Sequence, residues 1–448
     1  MMFDLLAAIG VLIVLGAVMA VVKLCFKHLT PEGSRKAIHV VMGCTALTFP
    51  FIFEYRQSVI YLGAAVIALL LFMRKNEALR KGVGTVLLGI QRKSLGDIYF
   101  VISIVIVFVL HQYTFEYLIP IAVLTFADSV AALVGISYGR YNMAQHEEEE
   151  PKSREGSIMF FIVAFMCALI PLQLMTEVGR AEVLIISFLI GILAAMIEAV
   201  TRHGNDNLLL PILTYSILHY NIEQPLELIL INLGIMMFLL AVVLMVHRIT
   251  NITKLSMAYT MLVAYIIMIQ GGIIWLIPAS TLFLTFGIFP MMKKEEKNMV
   301  QTYKVIECNS IVGIICLVLT GFFPQFRDVL YISFSLSFAI HLAINTYSRY
   351  FNFNNSGIAL SVACGLAKAV GFIALPALVI TGMHLLTFLM YLAFIAITMP
   401  FAVSLNKKYN YKKVGDITFN ANKILVGGWV AVFTVVLILA GDFYGLFG

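Results

Sequence analysis

The chain has 448 residues, of which 61% are apolar and only 12% charged, with a net charge of +6 at pH 7. Soluble globular proteins carry about 45–50% apolar and about 25% charged residues, so the composition excludes a soluble enzyme, a disordered chain and a secreted disulfide scaffold. The apolar residues come in runs of about 20, without the alternation typical of outer-membrane barrels. The sequence therefore predicts an all-α, polytopic integral membrane protein.

Taken in chain order, the apolar runs predict about 16 transmembrane helices. They lie at 4–22, 38–53, 57–73, 98–115, 117–137, 157–175, 182–200, 208–220, 225–246, 256–276, 278–291, 305–323, 329–346, 357–380, 384–403 and 424–445. If the N-terminus is outside, 26 of the 30 basic residues fall in loops on one side of the membrane, and only Arg56, Arg180 and Arg327 fall on the other. The positive-inside rule makes the basic side cytoplasmic, so we expect both termini outside, in a cell inner membrane.

The same topology divides the chain into two parallel eight-helix halves. We predict a catalytic membrane domain at 1–222 and a second, non-catalytic membrane domain at 223–448. Mid-span carboxylates, Asp128 and Glu198, occur in the first half alone, whereas Asn345 of the second half stands in a pattern similar to that around Asp128. Chemistry that needs a metal or a base is therefore expected in the first half.

Asp128 is the most informative of these residues. An ionisable side chain inside a span costs about 2.5–3.5 kcal/mol on insertion scales, so it is a site candidate by default. Small residues at four-residue steps surround it in sequence and would let a second backbone or a ligand approach closely: Ala127, Ala131, Gly135 and Gly139. We expect a polar cleft open to the cytoplasm, the alternative being an aspartate paired for structure alone.

Polar groups at the predicted cytoplasmic ends of the first-half spans complete the pattern. Basic residues and helix N-termini suit a polyphosphate, and carboxylates suit Mg²⁺. Each basic residue taken alone is an ordinary positive-inside anchor. It is the expected convergence of these residues around Asp128 that favours a binding site. The candidates are Arg35, Lys36, His39, Lys93, Ser94, Asp97, Arg140, Lys152, Glu155, Gly156, Ser157, Glu198, Asp206 and Asn207.

These motifs, in this order over about residues 30–215, resemble the phytol kinase/dolichol kinase family, which is related to phosphatidate cytidylyltransferases. The resemblance implies CTP-dependent phosphorylation of a long-chain lipid alcohol with Mg²⁺. It implies a metal or catalytic role for Asp128 and a place at the rim for Glu198, Asp206 and Asn207. It also implies a nucleotide-binding group that consists of Gly139, Arg140, Glu155, Gly156 and Ser157, to which Lys93, Ser94, Gly135 and Lys152 are added.

On this interpretation, Asp128 with Asp97 or Asp206 holds Mg²⁺, and His39 or Asp128 serves as an optional base. Arg35, Lys36, Lys93, Arg140 and Lys152 are the predicted clamps on the phosphates. The lipid comes from the bilayer, the nucleotide comes from the cytoplasm, and no nucleic acid is involved.

Two alternatives remain. A cytidylyltransferase would use the same parts, although its signature ending (a Lys-Asp pair, then His-Gly-Gly and Asp-Arg) is absent. A secondary transporter would fit the two parallel halves and the short spans. The second half more distantly resembles the phytyl-phosphate kinase family, where an aspartate is expected at the position of Asn345.

Overall fold

A computed structural model describes residues 2–25, 31–76, 95–139, 153–201, 204–247, 254–285, 303–353, 356–409 and 417–444. These ranges are helical almost throughout, and none of them contains a β-strand. The all-α prediction is confirmed. Among the described helices, eight are long and apolar enough to cross a membrane, and shorter apolar helices accompany them.

The helices follow the predicted spans in order, one helix to each span. They are α1 (Met2–Cys25), α2 (Pro31–Leu47, continued by a short turn Phe49–Ile52), α3 (Arg56–Lys75), α4 (Gly96–Leu110), α5 (Thr114–Tyr138), α6 (Arg154–Met175), α7 (Arg180–Val200), α8 (Asp206–Ile222), α9 (Leu226–His247), α10 (Lys254–Gly271), α11 (Ile273–Phe283), α12 (Tyr303–Phe322), α13 (Arg327–Phe353), α14 (Ile358–Thr381), α15 (Leu385–Tyr409) and α16 (Ile417–Tyr444).

Several helix ends differ from the prediction. The span predicted at 256–276 is interrupted by Gly272, whose φ of +84° favours glycine and ends α10 before α11 begins. Helix α13 is longer at both ends than predicted. Helix α6 begins at Arg154, so that Glu155, Gly156 and Ser157 form its first turn instead of leading into it. Hydropathy marks the apolar part of a helix, whereas polar first and last turns also have helical backbone.

The surface of α6 indicates the medium around the protein. Its buried residues form a single stripe at four-residue steps, Gly156, Phe160, Ala164, Ala168 and Leu172. The remaining faces are also apolar, and large side chains such as Ile158 and Leu174 are exposed. A helix that is apolar on its exposed faces matches hydrocarbon better than water, since soluble helices carry polar residues there.

The chain folds into two compact units, Met1–Gly234 and Ile235–Gly448. The boundary falls inside α9, a little after the predicted junction at 222. In unit 1, α5 is central: it packs against α2, α6 and α8, and α6 packs on α7. The fully buried side chains of unit 1 include Tyr117, Ile119 and Leu124 of α5.

Unit 2 is built around α13, whose apolar window is entirely buried. Polar side chains of α13 bond to its neighbours: Thr434 donates to Ser333 (2.6 Å) and Tyr391 donates to Ser335 (3.2 Å). A Cβ at Gly365 of α14 would lie 2.6 Å from a backbone oxygen of α13, so only glycine allows this close crossing. Unit 2 has a π-helical turn in α14, at Val370–Ala374. It has none in α13, although α13 carries Asn345, which stands in a sequence pattern similar to that around Asp128.

Candidate active site

Asp128 follows directly on an irregular turn of α5. Residues Val123–Ala127 form a π-helical turn, and Asp128 begins the α-helical part that follows it. Pro120 lies just upstream and removes one backbone donor from the helix. A π-turn alters the direction of the side chains after it and frees a carbonyl from regular pairing. The local sequence therefore turns Asp128, only 8% exposed, into the interior of unit 1.

Helix α2 crosses α5 closely at this turn. A Cβ at Gly43 would overlap the Thr125 side chain, so the crossing depends on glycine. His39 and Lys36 lie four and seven residues before Gly43, on the same face of α2. The close crossing consequently brings both side chains against Asp128.

Three groups meet at this crossing. Lys36 Nζ donates to Asp128 Oδ2 at 2.6 Å in a buried ion pair. His39 Nε2 lies 3.6 Å from the same oxygen and donates to the Leu124 carbonyl of the π-turn at 3.1 Å. A buried carboxylate is stable only when it is paired and hydrogen-bonded, and Lys36 meets that need here. The arrangement supplies a cation, an ionisable carboxylate and a fixed imidazole within a few ångströms.

The ends of α7 and α8 add two more carboxylates. One ligand oxygen each from Asp128, Glu198 and Asp206 lies within 4.8 Å of the other two, and we call these residues the acidic triad. Glu198 is in the last turn of α7 and Asp206 begins α8, with Gly204 at φ +82° between them. The left-handed conformation of Gly204 allows the chain to turn back over a short distance.

The triad fits a divalent cation of the Mg²⁺ class. Mg²⁺ prefers carboxylate oxygens, and like charges this close favour a bound cation. The buried Oδ1 of Asp206 has no hydrogen-bond partner among the residues that the structure describes. An orphaned buried carboxylate oxygen is costly and points to a ligand. These residues could therefore hold the predicted metal.

Asp97 and Asn207 have other contacts. Asp97, in the first turn of α4, pairs with Arg74 at the end of α3. Asn207 donates to the Gly96 carbonyl at 2.8 Å and so ties the start of α8 to the start of α4. Of the two aspartates predicted to assist Asp128, the acidic triad contains Asp206 but not Asp97. The described contact of Asn207 therefore gives it a structural role next to Asp206.

The small residues at four-residue steps along α5 and just after it (Ala127, Ala131, Gly135 and Gly139), which we call the small-residue ridge, lie beside another backbone. A Cβ at Gly156 of α6 would lie 3.1 Å from the Ala131 carbonyl and 3.5 Å from Gly135 Cα. Ser153 caps α6 by accepting from the Gly156 N–H at 3.1 Å, and its hydroxyl would lie 3.0 Å from a Cβ at Gly135. The ridge thus positions the start of α6 beside α5. A nucleotide-binding role for these glycines stays a prediction.

Several predicted site residues fall outside the described part of the chain. They are Lys93, Ser94, Arg140 and Lys152. Arg35 directly precedes Lys36 in α2, but its side chain is not among those described. Of the predicted phosphate clamps, only Lys36 has a described side chain, and the role of all of them in binding phosphate stays a prediction.

Comparison of the chain with known protein families, with curated proteins and with solved structures finds no match. The resemblance implied a place at the rim for Glu198, and in the structure one of its carboxylate oxygens lies within 4.8 Å of ligand oxygens of Asp128 and Asp206. Sequence reasoning also missed the π-turn and its contact with His39. Pro120 was the available signal for the turn, since a proline inside a helix disturbs the regular hydrogen bonds.

Proposed function

We propose that unit 1 is a membrane-embedded lipid-alcohol kinase, which transfers the γ-phosphate of a nucleotide to the hydroxyl of a long-chain lipid alcohol. The observation that carries the proposal is the acidic triad beside Lys36 and His39, in the half of unit 1 nearer the side that the basic residues assign to the cytoplasm. Phosphoryl transfer requires positioning and charge neutralisation more than covalent help. CTP is proposed as the donor on the resemblance of the ordered motifs.

The lipid part of the proposal is supported by an apolar groove. It lies between α1, α2, α3 and α4 and has a cavity volume of about 40 Å³, and Leu15, Met42, Val59 and Phe100 are among its lining residues. The Phe100 ring lies 4.8 Å from the His39 ring, so the groove adjoins the residues around Asp128. A lipid chain in this groove would keep its apolar surface out of water and its hydroxyl near the acidic triad.

The chain's own residues supply the remaining steps. The alcohol O–H bond breaks, a bond forms between its oxygen and the γ-phosphorus, and the bond to the bridging oxygen breaks to leave the nucleoside diphosphate. Lys36 neutralises charge on the phosphate, while the proton passes to Asp128 or to Nδ1 of His39, because His39 Nε2–H is bound to Leu124. When bound by the acidic triad, Mg²⁺ would stabilise charge on the phosphates.

The decisive experiment uses purified full-length protein in lipid nanodiscs with a panel of lipid alcohols of different length. With CTP labelled at the γ-phosphate, we expect label in the lipid product, whereas label at the α-phosphate should stay in the nucleotide. Entry of α-label into a lipid would indicate a cytidylyltransferase instead. If neither label enters a lipid with any alcohol or lipid phosphate, the kinase proposal is wrong and a transporter becomes the better hypothesis.

Filling the groove should weaken lipid binding selectively. Thr45 lines the groove on α2, and Thr45→Trp adds an indole to it. We expect the KM for the lipid alcohol to rise about tenfold, or ~1.4 kcal/mol, with kcat and the KM for CTP little changed, since ground-state and transition-state binding are lost equally. Ile162→Trp, on an exposed face of α6, is the control. Equal kinetics for the two variants would place the lipid elsewhere.

The proposal extends to the topology of the whole chain. We propose 16 spans in two parallel halves, both termini outside, and an active site that faces the cytoplasm of an inner membrane. In a cysteine-free background, Thr85→Cys, Gln145→Cys and Asn205→Cys should react with an impermeant maleimide only after the membrane is opened. Labelling of intact cells or right-side-out vesicles at any of these positions would contradict this orientation.

Unit 2 is proposed to be non-catalytic. Asn345 is buried in α13 and donates to Asn309 at 3.3 Å, so that its pair is neutral, in contrast to the ion pair of Lys36 and Asp128 in unit 1. Asn345→Ala should cost about 1 kcal/mol of folding stability through the lost hydrogen bond and leave kcat within a few-fold. Thermal unfolding and kcat at saturating CTP and lipid test both parts. A variant as inactive as one that lacks a triad carboxylate would place catalytic residues in unit 2.

A further inference from the structure

A second polar cluster lies at the opposite end of unit 1 from the acidic triad. Its centre is Glu116, in the first turn of α5, whose side chain is fully buried at 0% exposure. A charged carboxylate in such a place is strongly destabilising unless its oxygens are paired. The contacts of Glu116 therefore identify what the carboxylate holds together.

Both oxygens of Glu116 are used. Oε2 accepts from the backbone N–H groups of Gln112 (2.8 Å) and Tyr113 (3.2 Å), which caps the start of α5. Oε1 accepts from Nδ1 of His219 at 2.7 Å, and His219 lies in the last turn of α8. We call Glu116 and His219 the outer clamp. It joins the first turn of α5 to the last turn of α8.

Neighbouring groups hold the outer clamp in place. The ring of Tyr215 stacks on the His219 ring at 5.4 Å, and its hydroxyl donates to the Leu110 carbonyl of α4 at 3.0 Å. Arg56 of α3 donates to the carbonyl of His111 at 2.9 Å. His219 is the histidine that bonds to the Glu116 carboxylate.

The clamped helices are the ones that carry two triad residues. Asp128 is 12 residues after Glu116 in α5, and Asp206 is 13 residues before His219 in α8. At 1.5 Å per residue these separations are about 18–20 Å. Helices α5 and α8 therefore have polar contacts at two levels. At one end Glu116 and His219 attract each other, and at the triad the carboxylates of Asp128 and Asp206 repel each other. Without a cation, the repulsion between the triad carboxylates tends to separate the helices, and the outer clamp opposes that separation.

We infer that Glu116 and His219 are positioning residues, which set the spacing of Asp128 and Asp206 from the far end of the same two helices. The inference rests on the proposed function for the use of the triad as a metal site. It assigns a purpose to the buried carboxylate at the outer end of α5, which touches no group of the proposed reaction.

The test uses full-length protein and two substitutions at half-exposed His219. His219→Leu removes the donor to Glu116, whereas His219→Asn keeps an amide N–H near the position of Nδ1. His384→Leu, at an exposed histidine of unit 2, is the matched control. Mn²⁺ binding is measured by electron paramagnetic resonance. In a cysteine-free background, spin labels at Ile136 and Asn205 report the distance between the end of α5 and the start of α8.

For His219→Leu we expect the Kd of Mn²⁺ to rise about tenfold. This is the lower end of the loss in metal affinity that is typical when a residue that orients metal ligands is removed. The spin-label distances should broaden without Mn²⁺ and narrow again at saturation. His219→Asn and His384→Leu should stay within about twofold of the unchanged protein by the same measure. A wild-type Kd and an unchanged distance distribution for His219→Leu would overturn the inference.

The two proposals fail separately. Protein that binds Mn²⁺ with the expected dependence on His219 but phosphorylates no lipid alcohol would remove the proposed function and support the outer clamp. Phosphorylation with a metal affinity that does not respond to His219→Leu would remove the outer clamp and support the kinase. Protein that binds no Mn²⁺ would overturn the outer clamp together with the metal site.

Discussion

The Asp128→Asn variant is expected to lose lipid phosphorylation by about a hundredfold or more, equivalent to ~3 kcal/mol of transition-state stabilisation. Asp128 is the residue where the two parts of the site join, because it belongs to the acidic triad and also accepts from Lys36. Asparagine keeps the shape but removes the charge, which weakens cation binding and leaves the Lys36 ammonium with a neutral neighbour. Initial rates at saturating CTP, lipid and Mg²⁺ measure the loss.

Stability must be measured beside activity for this variant. Removing one partner of a buried ion pair costs about 3–5 kcal/mol, so Asp128→Asn alone can reduce the folded fraction. The double variant Lys36→Met/Asp128→Asn removes both charges and should recover much of that stability without recovering activity. Asp4→Asn alters another buried carboxylate of unit 1, one that accepts from the Tyr55 N–H, and serves as the matched control. Wild-type turnover by folded Asp128→Asn protein would refute the assignment.

The second large effect is expected at Glu198, which the sequence placed at the rim. Because its carboxylate belongs to the acidic triad, Glu198→Gln should raise the Mg²⁺ concentration for half-maximal activity by about ten- to a hundredfold, as Asp206→Asn should. The matched control is Asp97→Asn. Asp97 pairs with Arg74, so its substitution should affect stability more than the requirement for Mg²⁺.

Titration of activity with Mg²⁺ separates these residues, because a lost ligand shifts the half-maximal concentration while a loosened helix lowers the maximal rate. An Asp97→Asn variant that needs much more Mg²⁺, together with a normal Glu198→Gln variant, would move the metal site to the start of α4. Restoration of Glu198→Gln activity at high Mg²⁺ would agree with a ligand role.

The helices of this protein follow from local properties of the sequence. A run of apolar residues is stable in a bilayer only as a helix, because every backbone donor and acceptor must be satisfied within the segment. For the same reason each predicted span overlaps a helix. Asp128 stands out because a charged side chain inside such a helix is costly and marks a candidate functional site. Lys36 and His39 were both candidates from the sequence, but their position on one face of α2 against Asp128 was found in the structure.

The partners of those residues were decided by the tertiary structure. The sequence predicted a metal role for Asp97 and a place at the rim for Glu198, but the packing of α7 on α8, and of α8 on α5, brings Glu198 and not Asp97 to Asp128. The small-residue ridge could have faced a ligand or a helix, and the start of α6 covers it. Glu116 and His219, 103 residues apart, gave no signal at all. Hydropathy and helical periodicity act over a few turns, whereas the pairing of charges on different helices depends on where each helix crosses the others, and that is fixed by packing across the whole unit.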